Sequence, residues 1–144
     1  MPLKSLGVRL VPLLVALATT SCSSGTLHPV RGKVVVGDIP AAGALVMFHP
    51  EGGDLNDVPA TGVVADDGTF TLATGDKPGA HAGKYVVTVV WPDPAKKPTQ
   101  QQIMMGLAPD APDVLAGRFA TKQASPLRAE VKAGENTLQP FDLK

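Results

Sequence analysis

Hydrophobic and polar residues alternate in short runs along most of the chain after residue 29, a pattern typical of half-buried β-strands. The strongest run is 84–91, in which Tyr85, Val87 and Val89 share one face. Six weaker runs, each bounded by Gly, Pro or Asp, follow the same pattern: 30–36, 44–49, 61–65, 69–73, 127–132 and 137–143. Seven short strands without a long helical segment predict an all-β fold, a seven-stranded antiparallel two-sheet sandwich.

The residues Asp66, Asp67 and Gly68 separate two of these runs and have the composition of a tight hairpin turn. Glycine adopts the positive φ that such turns need, and aspartate side chains accept hydrogen bonds from turn amides. A calcium-binding loop also begins with aspartates, but it needs a bidentate glutamate a few residues later. The next glutamate is Glu130, so the sequence predicts a turn here and not a metal site.

Residues 92–125 depart from the strand pattern and predict a long loop within the domain. Prolines at 92, 94, 98, 109 and 112 supply no amide hydrogens for a sheet ladder, and the stretch 96–102 is polar. Residues 113–120, which follow one of these prolines, are a candidate for a helical turn or two. Because loops of this length are usually functional or mobile, we expect 92–125 to be the least protected part of the domain.

Residues 1–21 have the features of a secretory signal peptide. Lys4 and Arg9 form a positively charged start, nine apolar residues occupy 10–18, and small residues follow at 19–21. A helix of this length covers about 14 Å, far less than the roughly 30 Å of a bilayer core. The segment therefore predicts export rather than a permanent membrane span.

Cys22 is the single cysteine and directly follows this segment. Its position resembles the bacterial lipoprotein signal, in which a cysteine after small residues is lipidated and becomes the new N-terminus. Thr19 stands where that pattern prefers leucine, and the alternative is an ordinary signal peptide with an incidental cysteine. The prediction is lipidation at Cys22, a polar tether over 22–28 and one domain over 29–144.

Charge and composition narrow the classes of function. The 13 basic and 13 acidic residues balance, and removal of residues 1–21 leaves 123 residues with a formal charge of −2. A chain without basic runs is a poor candidate for binding nucleic acid. A single cysteine excludes an intramolecular disulfide and a multi-cysteine metal site.

Four segments resemble, in order and spacing, the carboxypeptidase regulatory-like domain, a transthyretin-like family: 30–36, 41–50, 66–70 and 83–89. They include the motifs Val-Arg-Gly-Lys-Val-Val-Val, Asp-Asp-Gly-Thr-Phe and Gly-Lys-Tyr-Val-Val-Thr-Val. The resemblance covers residues 28–91, and the C-terminal part looks like small exported bacterial lipoproteins that bear this domain. It implies a seven-stranded, prealbumin-like sandwich with no catalytic residues of its own.

Catalytic and metal chemistry finds little support in the sequence. His28, His49 and His81 lack the short spacings of metal-ligand pairs and are expected to be scattered over the surface. Transthyretin-like hydrolases carry catalytic His and Arg residues and a characteristic C-terminal tetrapeptide, whereas this chain ends Phe-Asp-Leu-Lys. Because a Gly-x-Ser-x-Gly motif and a phosphate-binding loop are also absent from the sequence, we expect neither enzymatic activity nor a cofactor.

The expected function is that of a non-catalytic, membrane-tethered lipoprotein, exported to the cell envelope, with a binding or scaffolding role. Its partners would be the membrane, through the lipid, and an envelope protein or polysaccharide. The alternative is a small periplasmic hydrolase or metal-handling protein built from His49, His81 and loop aspartates. Trp91, the single tryptophan, ends the strongest strand and either completes the core, which we prefer, or forms an exposed platform for a sugar ring.

Overall fold

The structure, a computed structural model that describes residues 25–53 and 57–144, is mainly β, with antiparallel sheets and one short α-helix. The signal segment 1–21 and Cys22 lie outside the described residues, as does Asp54. Within the described ranges, no helix has the length and apolar character needed to cross a bilayer.

Short strands account for most of the regular structure. In chain order they are β1 Leu27–His28, β2 Val30–Val36, β3 Ile39–Pro40, β4 Leu45–Pro50, β5 Ala60–Val63, β6 Thr69–Thr71, β7 Ala73–Thr74, β8 Lys77–Pro78, β9 Ala80–His81, β10 Gly83–Val90, β11 Arg128–Val131, β12 Asn136–Thr137 and β13 Phe141–Asp142. The helix α1 spans Gln100–Met104, and a 3-10 turn spans Pro94–Lys96.

The strands β4 and β10 form the longest ladder of the larger sheet. Its strand order is β11-β10-β4-β5-β7-β8, with antiparallel pairing throughout. The β4–β10 ladder begins with Tyr85 opposite Pro50. Val87 and Val89 are fully buried on the face that the alternation predicted. The strongest sequence pattern therefore forms the strand with the most extensive pairing.

The strand β2 is the centre of a second sheet. The strands β3 and β6 pair with it antiparallel on one side, and β12 and β13 pair with it parallel on the other. The arrangement thus differs from the predicted seven-stranded antiparallel sandwich, because the described residues form 13 strands and two of the pairings are parallel. A further small sheet joins β1 to β9.

Two residues explain why the predicted strands divide. Pro140 has no amide hydrogen to donate, and the predicted strand 137–143 separates there into β12 and β13. The predicted strand 69–73 separates at Leu72, whose amide donates to the carbonyl of Val30. The strand β6 before Leu72 pairs with β2, whereas β7 after it pairs with β5, so the chain passes from one sheet to the other.

Phe48, on the inner face of β4, joins the two sheets. The centre of its ring lies 6.2 Å from that of Phe70 and 6.4 Å from that of Phe141, both in the second sheet. It lies 5.7 Å from the ring of Tyr85 in its own sheet, and Phe48 is fully buried. Tilted aromatic pairs at such separations stabilise a core beyond the area they bury. This cluster therefore determines which face of each sheet points inward.

The predicted loop 92–125 divides into two parts. Residues 113–125 pack on the domain, because Leu115, Phe119 and Ser125 are buried. Residues 92–112, which we call the extension, are largely exposed and contain α1. The N-terminus of α1 is capped by reciprocal hydrogen bonds between Thr99 and Gln102.

We predict that Phe48→Ala lowers the free energy of unfolding by about 3–5 kcal/mol, because it leaves a cavity between the sheets and removes three ring contacts. Chemical denaturation followed by circular dichroism measures the change. The control is Ile39→Ala, since Ile39 is 62% exposed; its effect should stay within about 0.5 kcal/mol. Equal losses in the two variants would contradict the role of the cluster.

Candidate functional site

An open groove runs along β2 on the outer face of the second sheet. The alternation of β2 directs Arg31 and Lys33 away from the core, and both are exposed. In the neighbouring strand β6, Thr71 lies opposite Arg31 and Thr69 lies opposite Lys33. On the other side, Thr137 of β12 also lies opposite Arg31. Two cationic side chains are therefore flanked by hydroxyl groups.

The chain between β12 and β13 forms one wall of this groove. Leu138, Gln139 and Pro140 line it together with the residues of β2 and β6, and the groove has a volume of about 660 Å³. The amide of Leu138 donates to the carbonyl of Arg31 at 2.8 Å, which attaches the wall to β2. We call this site the β2 groove.

Gly32 lies between the two cationic residues but belongs to the inner face. Its position is opposite Phe70, and a Cβ added to Gly32 would lie 2.5 Å from the Phe70 ring. Any other residue would therefore displace that ring from the core. The absence of a side chain here lets β2 and β6 pair closely beneath the groove.

The β2 groove carries positive charge. Within the described residues, neither Arg31 nor Lys33 forms an ion pair, and none of the residues that line the groove is acidic. Asp67 lies beyond the lining. Its carboxyl has a lowered pKa because the hydroxyl and the amide of Thr69 donate to it and, to a lesser extent, because of the charge of Lys33.

A second cavity, of about 480 Å³, lies where β4 ends and β10 begins. Glu51, His81, Lys84 and Tyr85 are among its lining residues. The hydroxyl of Tyr85 donates to the carbonyl of His81 at 2.6 Å, and burial raises the pKa of Tyr85. Glu51 forms an ion pair with Arg128 at 3.2 Å. Tyr85 therefore ties β9 to β10, and Glu51 is held towards β11.

The three histidines have different neighbours. His81 lines the second cavity, whereas Nε2 of His49 lies 3.0 Å from Oγ1 of the buried Thr88. His28 accepts a hydrogen bond at Nδ1 from the amide of Gly134. Among residues 25–53 and 57–144, no group of three His, Cys, Asp or Glu side chains could hold a metal ion.

Trp91 is attached to two other segments of the domain. Its indole Nε1 donates to the carbonyl of Ala42, and its amide donates to Oδ1 of Asp113, each at 2.9 Å. The side chain is partly buried and packs against the core. Because its one polar ring atom is engaged inside the domain, the geometry favours the core interpretation, and contact with a ligand stays a prediction.

Asp113 organises the inner part of the predicted loop, although the sequence pattern did not indicate it. Its carboxylate accepts hydrogen bonds from the amides of Trp91, Leu115 and Gly117 at 2.9–3.0 Å. Ala116 and Gly117 have φ values of 52° and 73°, so this stretch forms turns and not the helical turns predicted for 113–120. An aspartate after a proline and shortly before a glycine is the signal that could have identified this turn.

Comparison with known proteins adds no relative to the description of the fold. No protein-family model matches the chain, and neither curated proteins nor solved structures gave a match. The class of protein that the structure defines is a mainly β domain with antiparallel sheets. No family is identified.

We predict that the fluorescence emission of Trp91 is blue-shifted and weakly quenched by acrylamide, because the ring packs against the core. Trp91→Ala should lower the free energy of unfolding by about 3 kcal/mol. Trp91→Phe, which retains most of the packing and loses only the bond to Ala42, should cost about 1 kcal/mol. Red-shifted emission that soluble glycans protect from quenching would instead show an exposed sugar platform.

The pH dependence of stability should depend on His49. Burial and, secondarily, the charge of Lys122 lower the pKa of His49. The unfolded chain therefore takes up this proton more readily, and the stabilisation is present above about pH 6.5 and lost as the pH falls below it. In His49→Gln, the free energy of unfolding should fall less between about pH 7.5 and pH 5.5. His81→Gln is the control, and identical pH profiles for the wild type and His49→Gln would overturn this assignment.

Proposed function

We propose that the protein is a non-catalytic lipoprotein, tethered to a membrane through Cys22, that binds a ligand at the cell envelope through the β2 groove. The observation that carries this proposal is an open, cationic groove close to the start of the exported chain. Arg31 follows Cys22 by nine residues, and an extended chain of that length spans at most about 30 Å. The groove would therefore work near the membrane surface.

The direction of β10 supports a binding or scaffolding role for the anchored domain. The strand β1 pairs with β9, which directly precedes β10, so the N-terminal end of the domain lies beside the start of β10. The extension begins after the end of β10, and eight residues of strand cover about 25 Å. The strand β1 and the extension thus lie at opposite ends of β10.

The composition of the extension adds to this support. Four of its five residues at 103–107 are large, apolar and exposed: Ile103, Met104, Met105 and Leu107. Contiguous exposed apolar residues are uncommon on a monomeric domain and are typical of contact surfaces. A domain held at one end can present such a segment to other molecules of the envelope.

The family resemblance is part of the same proposal. A prealbumin-like, carboxypeptidase regulatory-like domain is supported by the antiparallel pairing of β4 with β10 and by the hairpin turn at Gly68. Domains of that family usually serve as appended or surface-exposed modules without catalytic residues of their own. Under this proposal, the β2 groove is the part of the module that contacts its ligand.

We predict that the wild-type protein is found in the membrane fraction and incorporates labelled fatty acid. Cys22→Ala should release the protein from that fraction and abolish the label, because the acyl chains are its attachment. Ser23→Ala, the neighbouring substitution, should leave both unchanged. A wild-type protein that is soluble and unlabelled would refute the lipoprotein proposal.

A further inference from the structure

We infer that the ligand of the β2 groove is an extended anionic oligosaccharide, that is, a sugar chain with carboxylate or similar acidic groups. The inference rests on the proposed function, because it names the ligand class of the same groove. It is carried by the juxtaposition of two cationic side chains with a row of hydroxyl and amide groups on an open sheet face.

The charge of the groove selects for an anion. Arg31 and Lys33 occupy alternate positions of one strand and have no ionic partner within the described residues. Arginine presents a planar fork of donors that matches a carboxylate, and lysine adds a compact charge. The carboxylate of Asp67 interacts weakly with the charge of Lys33. Its main contacts are the two hydrogen bonds that the amide and the hydroxyl of Thr69, in β6, donate to it.

The neutral groups of the groove select for a sugar. Thr71 and Thr137 supply hydroxyl groups and Gln139 supplies an amide, each able to donate and to accept, whereas the hydroxyl of Thr69 donates to Asp67 and can only accept from a ligand. Such groups complement the hydroxyl groups of a glycan. Pro140 adds exposed apolar surface, on which the CH face of a sugar ring can lie, whereas Leu138 packs against the core.

The spacing of the groove selects for an extended chain. Side chains at alternate strand positions stand about 7 Å apart and project in the same direction. A compact anion such as free phosphate is bound by donors that converge on one point. Here the cations lie side by side along β2, with hydroxyl groups on both flanks, so acidic groups repeated along a polymer fit better than one compact group.

The experiment measures binding of an oligogalacturonate hexamer to the purified full-length mature protein by calorimetry, at about 20 mM salt. Raising the salt to about 300 mM should weaken binding about tenfold or more, because both cations are exposed to solvent. Maltohexaose, a neutral chain of the same length, tests whether the charge is required. Short-chain phosphatidylglycerol and inorganic phosphate test whether a lipid headgroup or a compact anion is the better ligand.

The decisive variant is Arg31→Gln combined with Lys33→Gln. Both side chains are exposed, so the variant should unfold at the same denaturant concentration as the wild type. It should bind the oligogalacturonate about tenfold more weakly or not at all. The control is Lys77→Gln with Lys132→Gln, which removes the same net charge from exposed positions elsewhere, and its affinity should change less than twofold.

The inference is overturned if maltohexaose binds as well as the acidic chain, or if the control variant loses as much affinity as the groove variant. It is also overturned if phosphate or phosphatidylglycerol binds through Arg31 and Lys33 while the acidic oligosaccharide does not. The measurement uses the protein from whichever fraction contains it. If the groove binds no oligosaccharide, the ligand assignment fails while the Cys22 experiment still tests membrane attachment. If the Cys22 experiment fails, the calorimetry still tests the ligand assignment.

Discussion

The packing of Phe48 between the two sheets is the constraint on which the rest of the surface depends. The chain has six aromatic residues, and four of them meet in this one cluster: Phe48, Phe70, Tyr85 and Phe141. Once these rings face inward, the alternate positions of the same strands must face solvent. The β2 groove exists because of this geometry, since Arg31 and Lys33 are the outward partners of the inward positions of β2.

The same constraint protects the pairing of β2 against slippage. A shift of one residue would turn Arg31 and Lys33 into the core and expose Val30 and Val34. Buried cations without partners are strongly destabilising, so such a register is excluded. Gly32 makes this register more specific, because a Cβ at the position opposite Phe70 would lie 2.5 Å from the Phe70 ring. The residues that form the groove thus also help to specify the fold.

Sequence alone predicted the parts of the fold that follow from local pattern. The alternation in β10 was correct, and the turn at Gly68 forms with a φ of 86°. Pairing between distant segments could not be read from the pattern, because alternation does not reveal which strands are neighbours. The parallel attachment of β12 and β13 to β2 is such a case.

The candidate site was missed for a related reason. A strand with Arg31 and Lys33 on its polar face is an ordinary surface strand until its neighbours are known. The groove forms because Thr137 and Gln139 lie on one side of β2 and β6 lies on the other. Asp113 was missed because the local pattern of proline, aspartate and glycine indicates at most a turn, whereas the bond from the amide of Trp91 depends on the tertiary fold.

The net charge of the chain excludes some classes of anionic ligand, but the local charge of the β2 groove has to be considered separately. The balanced charge of the chain argues against a long polyanion that needs a broad basic surface, such as a nucleic acid. It does not argue against an anion bound at one groove. Charges further apart than about 8–10 Å are screened at physiological salt, so a ligand in contact with Arg31 and Lys33 is attracted mainly by those two groups. The acidic residues elsewhere on the domain then limit how far a polyanion can extend beyond the groove, which favours a short acidic oligosaccharide over a long polyanion.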